Sequence, residues 1–202
     1  MKKLKTLFIA GIALATGVSV ASAEGLYGGG QIGFSGGGGE FNNTGIDLVL
    51  AGGMVVSGFV GKEFTNARLE GEIAYRQNDM DSWTLSGISA PVNGTMSSFA
   101  FMGNAYYDFG SKTSSFRPYI GIGAGAAYVT LTSIDYGNTN DSDLTFALQF
   151  ILGGSIAFSD GLAMTVDLRS LGAVPAFSDP TGFQYEQAYG VASLMVGVRQ
   201  SF

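Results

Sequence analysis

Eight stretches of this chain alternate apolar and polar residues with a period of two: 26–35, 53–64, 67–77, 97–109, 116–130, 144–158, 162–171 and 188–202. Period two is the signature of a β-strand, whose successive side chains point to opposite faces. Strands of soluble proteins usually run to about five or six residues. Every stretch here has ten or more, and a tilted strand that crosses a bilayer needs about 9–11. Beyond the first 23 residues no uninterrupted apolar run reaches 18, so strands and not helices are expected to do the crossing.

The two faces differ in size as well as polarity. In 67–77 one face carries Ala67, Leu69, Gly71, Ile73 and Tyr75, and the other Arg68, Glu70, Glu72, Ala74 and Arg76. In 97–109, Phe99, Phe101, Ala105, Tyr107 and Phe109 oppose Ser98, Ala100, Met102, Asn104, Tyr106 and Asp108. Phe146, Leu148, Phe150 and Leu152 oppose Thr145, Ala147 and Gln149, while Met164, Val166 and Leu168 oppose Thr165, Asp167 and Arg169. In the last stretch Leu194, Val196, Val198 and Phe202 oppose Ser193, Gly197, Arg199 and Ser201.

A soluble fold would turn its large apolar residues inward. Here the polar face is the one that carries small residues: Gly121, Gly123, Gly125, Ala127, Ser155 and Gly197. Small residues suit the cramped interior of an eight-stranded barrel, which side chains fill. The large residues then face lipid, and Tyr75, Tyr107, Phe109 and Tyr128 fall near strand ends, where interfacial girdles sit. In hydrocarbon no backbone group can stay unpaired, so the strands must close. The expected fold is all-β: an eight-stranded antiparallel transmembrane β-barrel, an up-and-down meander.

The connections sort by parity. Residues 65–66, 110–115 and 159–161 form short turns, whereas 36–52, 78–96, 131–143 and 172–187 are long and rich in Gly, Asn, Asp, Ser and Thr. Short turns on one rim and long loops on the other are the habit of outer-membrane barrels, and both termini then lie on the short-turn, periplasmic rim. The start of the chain supports export. Lys2, Lys3 and Lys5 precede an uncharged, mainly apolar stretch from Leu7 to Val20 and the small-residue run Ala21-Ser22-Ala23. That order reads as a signal peptide over 1–23, cleaved after Ala23, with the barrel domain over 24–202.

Composition removes most chemistry. The chain has no Cys and no His, which excludes thiolate nucleophiles, Cys- or His-ligated metals and histidine-based triads. Gly121-Ile-Gly-Ala-Gly-Ala126 matches the G-x-G-x-x-A dinucleotide pattern but lies inside a strand with no helix after it, so it reads as barrel wall. Asn42-Asn-Thr44, Asn93-Gly-Thr95 and Asn140-Asp-Ser142 read as loop composition. No catalytic, cofactor-binding or metal-binding residue is assigned, and no cofactor is expected.

The run Phe116-Arg-Pro-Tyr-Ile-Gly-Ile-Gly-Ala-Gly-Ala-Ala-Tyr-Val129 resembles the mid-barrel strand of the opacity-type, surface-antigen family of small outer-membrane barrels, and Val196-Gly-Val-Arg-Gln-Ser-Phe202 resembles their closing strand. The resemblance implies the outer membrane of a Gram-negative bacterium. It also implies that Phe202 carries the signal for the barrel assembly machinery. A non-enzymatic surface protein is expected, with a structural role or a ligand-contacting role for its loops; a small-solute channel is the alternative. Further partners expected are outer-membrane lipid and lipopolysaccharide. No nucleic acid is expected, and the chain is expected to be monomeric.

Two charge patterns complete the reading. Arg68, Arg76, Arg169 and Arg199 share the lumen faces with Glu70, Glu72, Asp108 and Asp167. The equal numbers favour Arg–carboxylate pairs that fill and stiffen the barrel, because a single dry charge is costly. The long loops carry nine acids, Glu40, Asp47, Asp79, Asp81, Asp135, Asp141, Asp143, Asp179 and Glu186, and no Lys or Arg. An acidic rim suits cations or a basic partner and disfavours nucleic acid. Trp83, Phe41, Tyr136, Phe183 and Tyr185 are the loop aromatics that could anchor such a contact.

Overall fold

The structure is a computed structural model that describes residues 25–41, 46–111, 114–133, 139–178 and 184–202. The expected signal peptide, 1–23, lies outside the described residues. In chain order the strands are β1 (Leu26–Phe41), β2 (Ile46–Glu63), β3 (Ala67–Leu85), β4 (Ile88–Pro91), β5 (Gly94–Asp108), β6 (Phe116–Ser133), β7 (Thr139–Ser159), β8 (Leu162–Ala173), β9 (Ala176–Ser178), β10 (Gln184–Glu186) and β11 (Tyr189–Ser201). Eight of these, β1, β2, β3, β5, β6, β7, β8 and β11, correspond one for one to the eight alternating stretches. Each pairs antiparallel with the next, and β11 pairs back onto β1 to close the ring. β4 extends β3 as a hairpin, and β9 and β10 form a separate ribbon.

The register sets the barrel's shape. Following Cα partners from Gly28 through Val60, Gly71, Gly103, Ala124, Leu148, Gly172 and Gly190 returns to β1 at Gly38, ten residues further along. With a rise of about 3.3 Å per residue and strands about 4.8 Å apart, that stagger tilts the strands by roughly 40°. The bore of such a barrel has room for side chains and little else.

Burial follows the alternation, with the polar face inside. Along β3 the lumen-facing Arg68, Glu70, Glu72, Arg76 and Asn78 are buried, whereas Leu69, Ile73, Phe34, Val60, Phe150 and Phe158 on outward faces are exposed. Arg76 is 0% exposed and Phe34 74%, the reverse of a water-soluble sandwich. Outward aromatics gather in two bands. Tyr75, Phe99 and Tyr128 are register partners in one row, and Tyr75 and Phe99 touch at 4.8 Å between ring centres. Tyr107 and Phe109, 5.1 Å apart, belong to the other band, toward the short turns.

The long connections are not loops over most of their length. β1 and β2 pair as far as Phe41 and Ile46, β3 runs to Leu85, and β7 begins at Thr139. The Gly-, Asn-, Asp- and Ser-rich composition marks strands that leave the apolar slab and meet water; their hairpin ladders continue because the backbone still needs partners. Irregular register at Ser35/Gly37 and again between Val49 and Gly53 bends these extensions. Ser86 and Gly87, both at positive φ (50° and 82°), make the two-residue turn from β3 to β4, a hairpin signalled by the Ser-Gly dipeptide between two β-forming pairs.

Leu152 stands near the middle of the lipid-facing run of β7, where it is 58% exposed. Leu152→Arg should destabilise the folded barrel by about 2–4 kcal/mol, the midplane cost of a basic side chain. Urea unfolding in lipid vesicles measures it.

Candidate functional site

The interior of the ring is where this chain departs most from an ordinary core. Its polar side chains stack in two connected layers beneath an apolar one. The first layer lies at the short-turn end. Arg68 Nε donates to both Asp108 oxygens, at 3.2 and 2.9 Å. Arg117 Nη1 donates to Glu63 Oε1 at 2.8 Å, and its Nη2 lies 3.4 Å from Asp108 Oδ2. The Arg68 guanidinium is wedged between the rings of Tyr106 (4.4 Å) and Tyr119 (4.6 Å), a placement that favours a desolvated cation.

The second layer crosses the bore. Arg169 Nη1 donates to Glu72 Oε2 at 2.6 Å, and Nη2 donates to Asp167 Oδ2 and Gln31 Oε1, both at 2.7 Å. Gln31 Nε2 returns a bond to Asp167 Oδ2 at 2.6 Å, and Asn104 Nδ2 donates to Glu72 Oε2 at 2.8 Å. Gln149 Nε2 donates to Asn104 Oδ1 at 2.6 Å, and the Tyr119 hydroxyl donates to Asp167 Oδ1. Glu70 links the layers through the hydroxyls of Tyr27 (3.1 Å) and Tyr106 (2.8 Å).

Toward the long hairpins the interior turns apolar. Leu48, Leu50, Met80, Val92, Met96, Ala100, Met102, Val129, Leu171, Phe177 and Tyr189 form one buried cluster, and Trp83 and Leu131 pack against it. The β9–β10 ribbon brings Phe177 into this cluster, and the Ala176 amide is tied to Asp143 Oδ2 at 2.8 Å.

The eight charged residues singled out from the alternation all face the lumen, and none is more than 6% exposed. The expected Arg–carboxylate pairing forms twice: Arg68 with Asp108 on the neighbouring strand, and Arg169 with Glu72 across the bore and with Asp167 on its own strand. Arg76 and Arg199 depart from expectation. None of the Arg76 nitrogens, and neither Nε nor Nη1 of Arg199, has a hydrogen-bond acceptor among the described residues. Glu70 takes hydroxyl donors in place of a guanidinium. Arg117 was not singled out, although its position two residues before the lumen-facing Tyr119 assigns it inward by parity alone.

Lumen glycines do not leave pockets. A Cβ on Gly121 would stand 2.6 Å from the Tyr106 ring, and one on Gly153 would stand 2.5 Å from the Tyr119 ring. Each glycine is the space its neighbour's ring occupies. Trp83 is half-buried against the apolar cluster and does not project as a free anchor; the side chains of Phe41, Tyr136, Phe183 and Tyr185 lie outside the described residues. Of the loop acids, Asp143 serves the ribbon, Asp141 accepts from the Ser142 amide at 2.8 Å, Asp47, Asp79, Asp81 and Glu186 are exposed, and Asp135, Asp179 and the Glu40 side chain lie outside the described residues.

A continuous water-filled bore would leave its lining wet. Here Tyr27, Glu72, Arg76, Met96, Tyr119, Gln149, Arg169 and Met195, spread over all three layers, are at most 3% exposed. Glu70, Glu72, Asp108 and Asp167 each accept hydrogen bonds from side chains inside the lumen. Among the described residues no cluster of acids could hold a metal ion, and no helix is long and apolar enough to cross a membrane.

Glu72 accepts from Arg169, Asn104 and Gln149. Glu72→Ala should strand the Arg169 guanidinium on one side and cost about 3–5 kcal/mol of barrel stability. The folded fraction in a urea titration, read as the heat-modifiable band on unboiled gels, reports it.

Comparisons with known proteins agree with this architecture. The crystal structure of Neisserial surface protein A superposes with a TM-score of 0.61 at 16% identity, over 90% of this chain and 99% of that one. The outer membrane protein OprG from Pseudomonas aeruginosa superposes with a TM-score of 0.55 at 12% identity, over 88% of this chain and 96% of that one. At such identities the likeness speaks for the fold alone. No curated protein sequence matches the chain. The outer membrane protein beta-barrel domain family matches residues 6–199, and with its closed eight-stranded ring and inward polar face the chain belongs to that family.

Proposed function

We propose that this protein is a non-enzymatic surface protein of the Gram-negative outer membrane, with a structural role or a ligand-contacting role carried by its long hairpins. The observation that carries this reading is the filled lumen. Porins that pass solutes use about 16–18 strands and keep an aqueous channel, whereas three stacked layers of dry side chains occupy this one.

With nothing passing through the ring, the surfaces left for function are the outer wall and the two rims. The wall meets lipid and the lipid portion of lipopolysaccharide. The long-hairpin rim carries exposed acids, Asp47, Asp79, Asp81 and Glu186, which suit a cationic or basic extracellular ligand. The short-turn rim holds the start of β1 and the end of β11 and faces the periplasm. There Phe202 lies on the lipid side, 39% exposed, and its amide donates to Leu26 O at 2.9 Å, a position suited to engagement by the assembly machinery as the last strand meets the first. The barrel acts as a monomer.

Two measurements test this. Purified protein in planar bilayers should give no steady, solute-permeable conductance; a large stable conductance would promote a channel in its place. On intact cells, antibody should reach an epitope inserted after Asn43, between β1 and β2, or after Gly182. An epitope between Ser111 and Ser114, in a short turn, should stay hidden until the membrane is opened, and the opposite labelling would reverse the topology.

A further inference from the structure

We infer that the short-turn mouth of the lumen is a binding site for a small water-borne oxyanion of the phosphate class, held by Arg68, Arg117 and Arg199. Three guanidinium groups converge there. Arg68 and Arg117 share Asp108 Oδ2, at 2.9 and 3.4 Å. Arg68 and Arg199 flank one ring, their Cζ atoms 5.8 and 5.2 Å from the Tyr27 centroid. All three are at least nine-tenths buried, with exposures of 3%, 6% and 6%.

The acceptors at the mouth do not match these donors. Asp108 is occupied by Arg68 Nε, and Glu63 Oε1 accepts from Arg117 Nη1. Glu70, one step further in, accepts from Tyr27, Tyr106 and Asn104. Arg68 Nη2, Arg117 Nε, and Arg199 Nε and Nη1 are left buried without a hydrogen-bond acceptor among the described residues, and Arg117 Nη2 has its ion pair with Asp108 but no hydrogen bond. Buried guanidinium donors left unbonded are costly, and converging planar donor forks fit an oxyanion with several acceptor oxygens. The three groups face the bore and not the lipid, so the ligand reaches them from water at the short-turn rim. Strand parity is what gathers them: Arg68 and Arg117 are the second residues of β3 and β6, and Arg199 lies two residues before the end of β11.

The test uses the folded full-length barrel in zwitterionic detergent, with inorganic phosphate as the probe and chloride at equal ionic strength as the reference. Calorimetric titration should show one phosphate per barrel. Phosphate at ten times its Kd should raise the thermal midpoint by about 3–6 °C. Arg199→Gln should weaken phosphate binding by about tenfold or more, whereas Arg76→Gln, beyond the Glu72 layer, should leave it within about twofold. Equal midpoints in phosphate and chloride for the wild-type barrel would overturn the site, a comparison that needs no variant to fold. Stabilisation by phosphatidylglycerol micelles with none by phosphate would overturn it too, because the anion would then sit on the lipid-facing side.

Discussion

In a hydrocarbon solvent the backbone has no water to fall back on, and an unpaired N–H or C=O costs several kcal/mol. A single open edge along a strand of 13 or 16 residues, the lengths of β11 and β1, would leave a row of such groups. Pairing β11 to β1 removes that edge, and the rest follows from closure. Eight strands with a stagger of ten residues make a narrow ring. A narrow ring has an interior that side chains must fill, and the outer wall must be apolar. Alternation with period two is the only pattern that meets both demands from one strand.

A filled interior need not be polar, yet two of the three layers here are. Desolvating a charge in such a space is repaid only by close geometry and further hydrogen bonds, and the Arg169 layer supplies both: two carboxylates, three side-chain amides and a tyrosine hydroxyl form one network around a single guanidinium. Each strand contributes one or two members, so the layer ties β1, β3, β5, β6, β7 and β8 across the bore. Arg76 lies on the other side of that layer, its register partner Ser98 bonded to Tyr189 at 3.3 Å in the apolar cluster. The ribbon then covers the hairpin end with Phe177. Occlusion is therefore redundant, polar in the middle and apolar above.

Much of this was legible in the residues. The eight strands, their faces, the filled bore and the charged layers all follow from parity, because a one-residue slip would turn every Leu and Phe of a strand inward. Arg117 was equally legible, since it shares parity with Tyr119 and Gly121. The strand ends were not. Composition records where a chain meets water, and hairpins that rise out of the membrane stay paired while turning polar, so 36–41, 46–52 and 78–85 read as loops. Partner choice in the lumen was illegible for another reason. Parity says that Glu70 and Arg76 face inward, but only the shear of the ring decides that Glu70 meets two tyrosine hydroxyls while Arg76 finds no acceptor among the described residues. The ribbon's Phe177 depends on a long-range fold-back that no local pattern encodes.

Inverted polarity is the claim on which everything else stands, and the absence of native cysteine makes it directly measurable. Single cysteines placed in turn at positions 69 to 76 of β3, spin-labelled in lipid vesicles, report contact with oxygen dissolved in the acyl chains. Positions 69, 71, 73 and 75 should be relaxed strongly by oxygen, and positions 70, 72, 74 and 76 should be shielded, with a strict period of two. High accessibility at 70, 72, 74 and 76 to a water-soluble relaxant, with 69, 71, 73 and 75 protected from oxygen, would mean a soluble sandwich or an open pore and would contradict the filled, lipid-facing barrel.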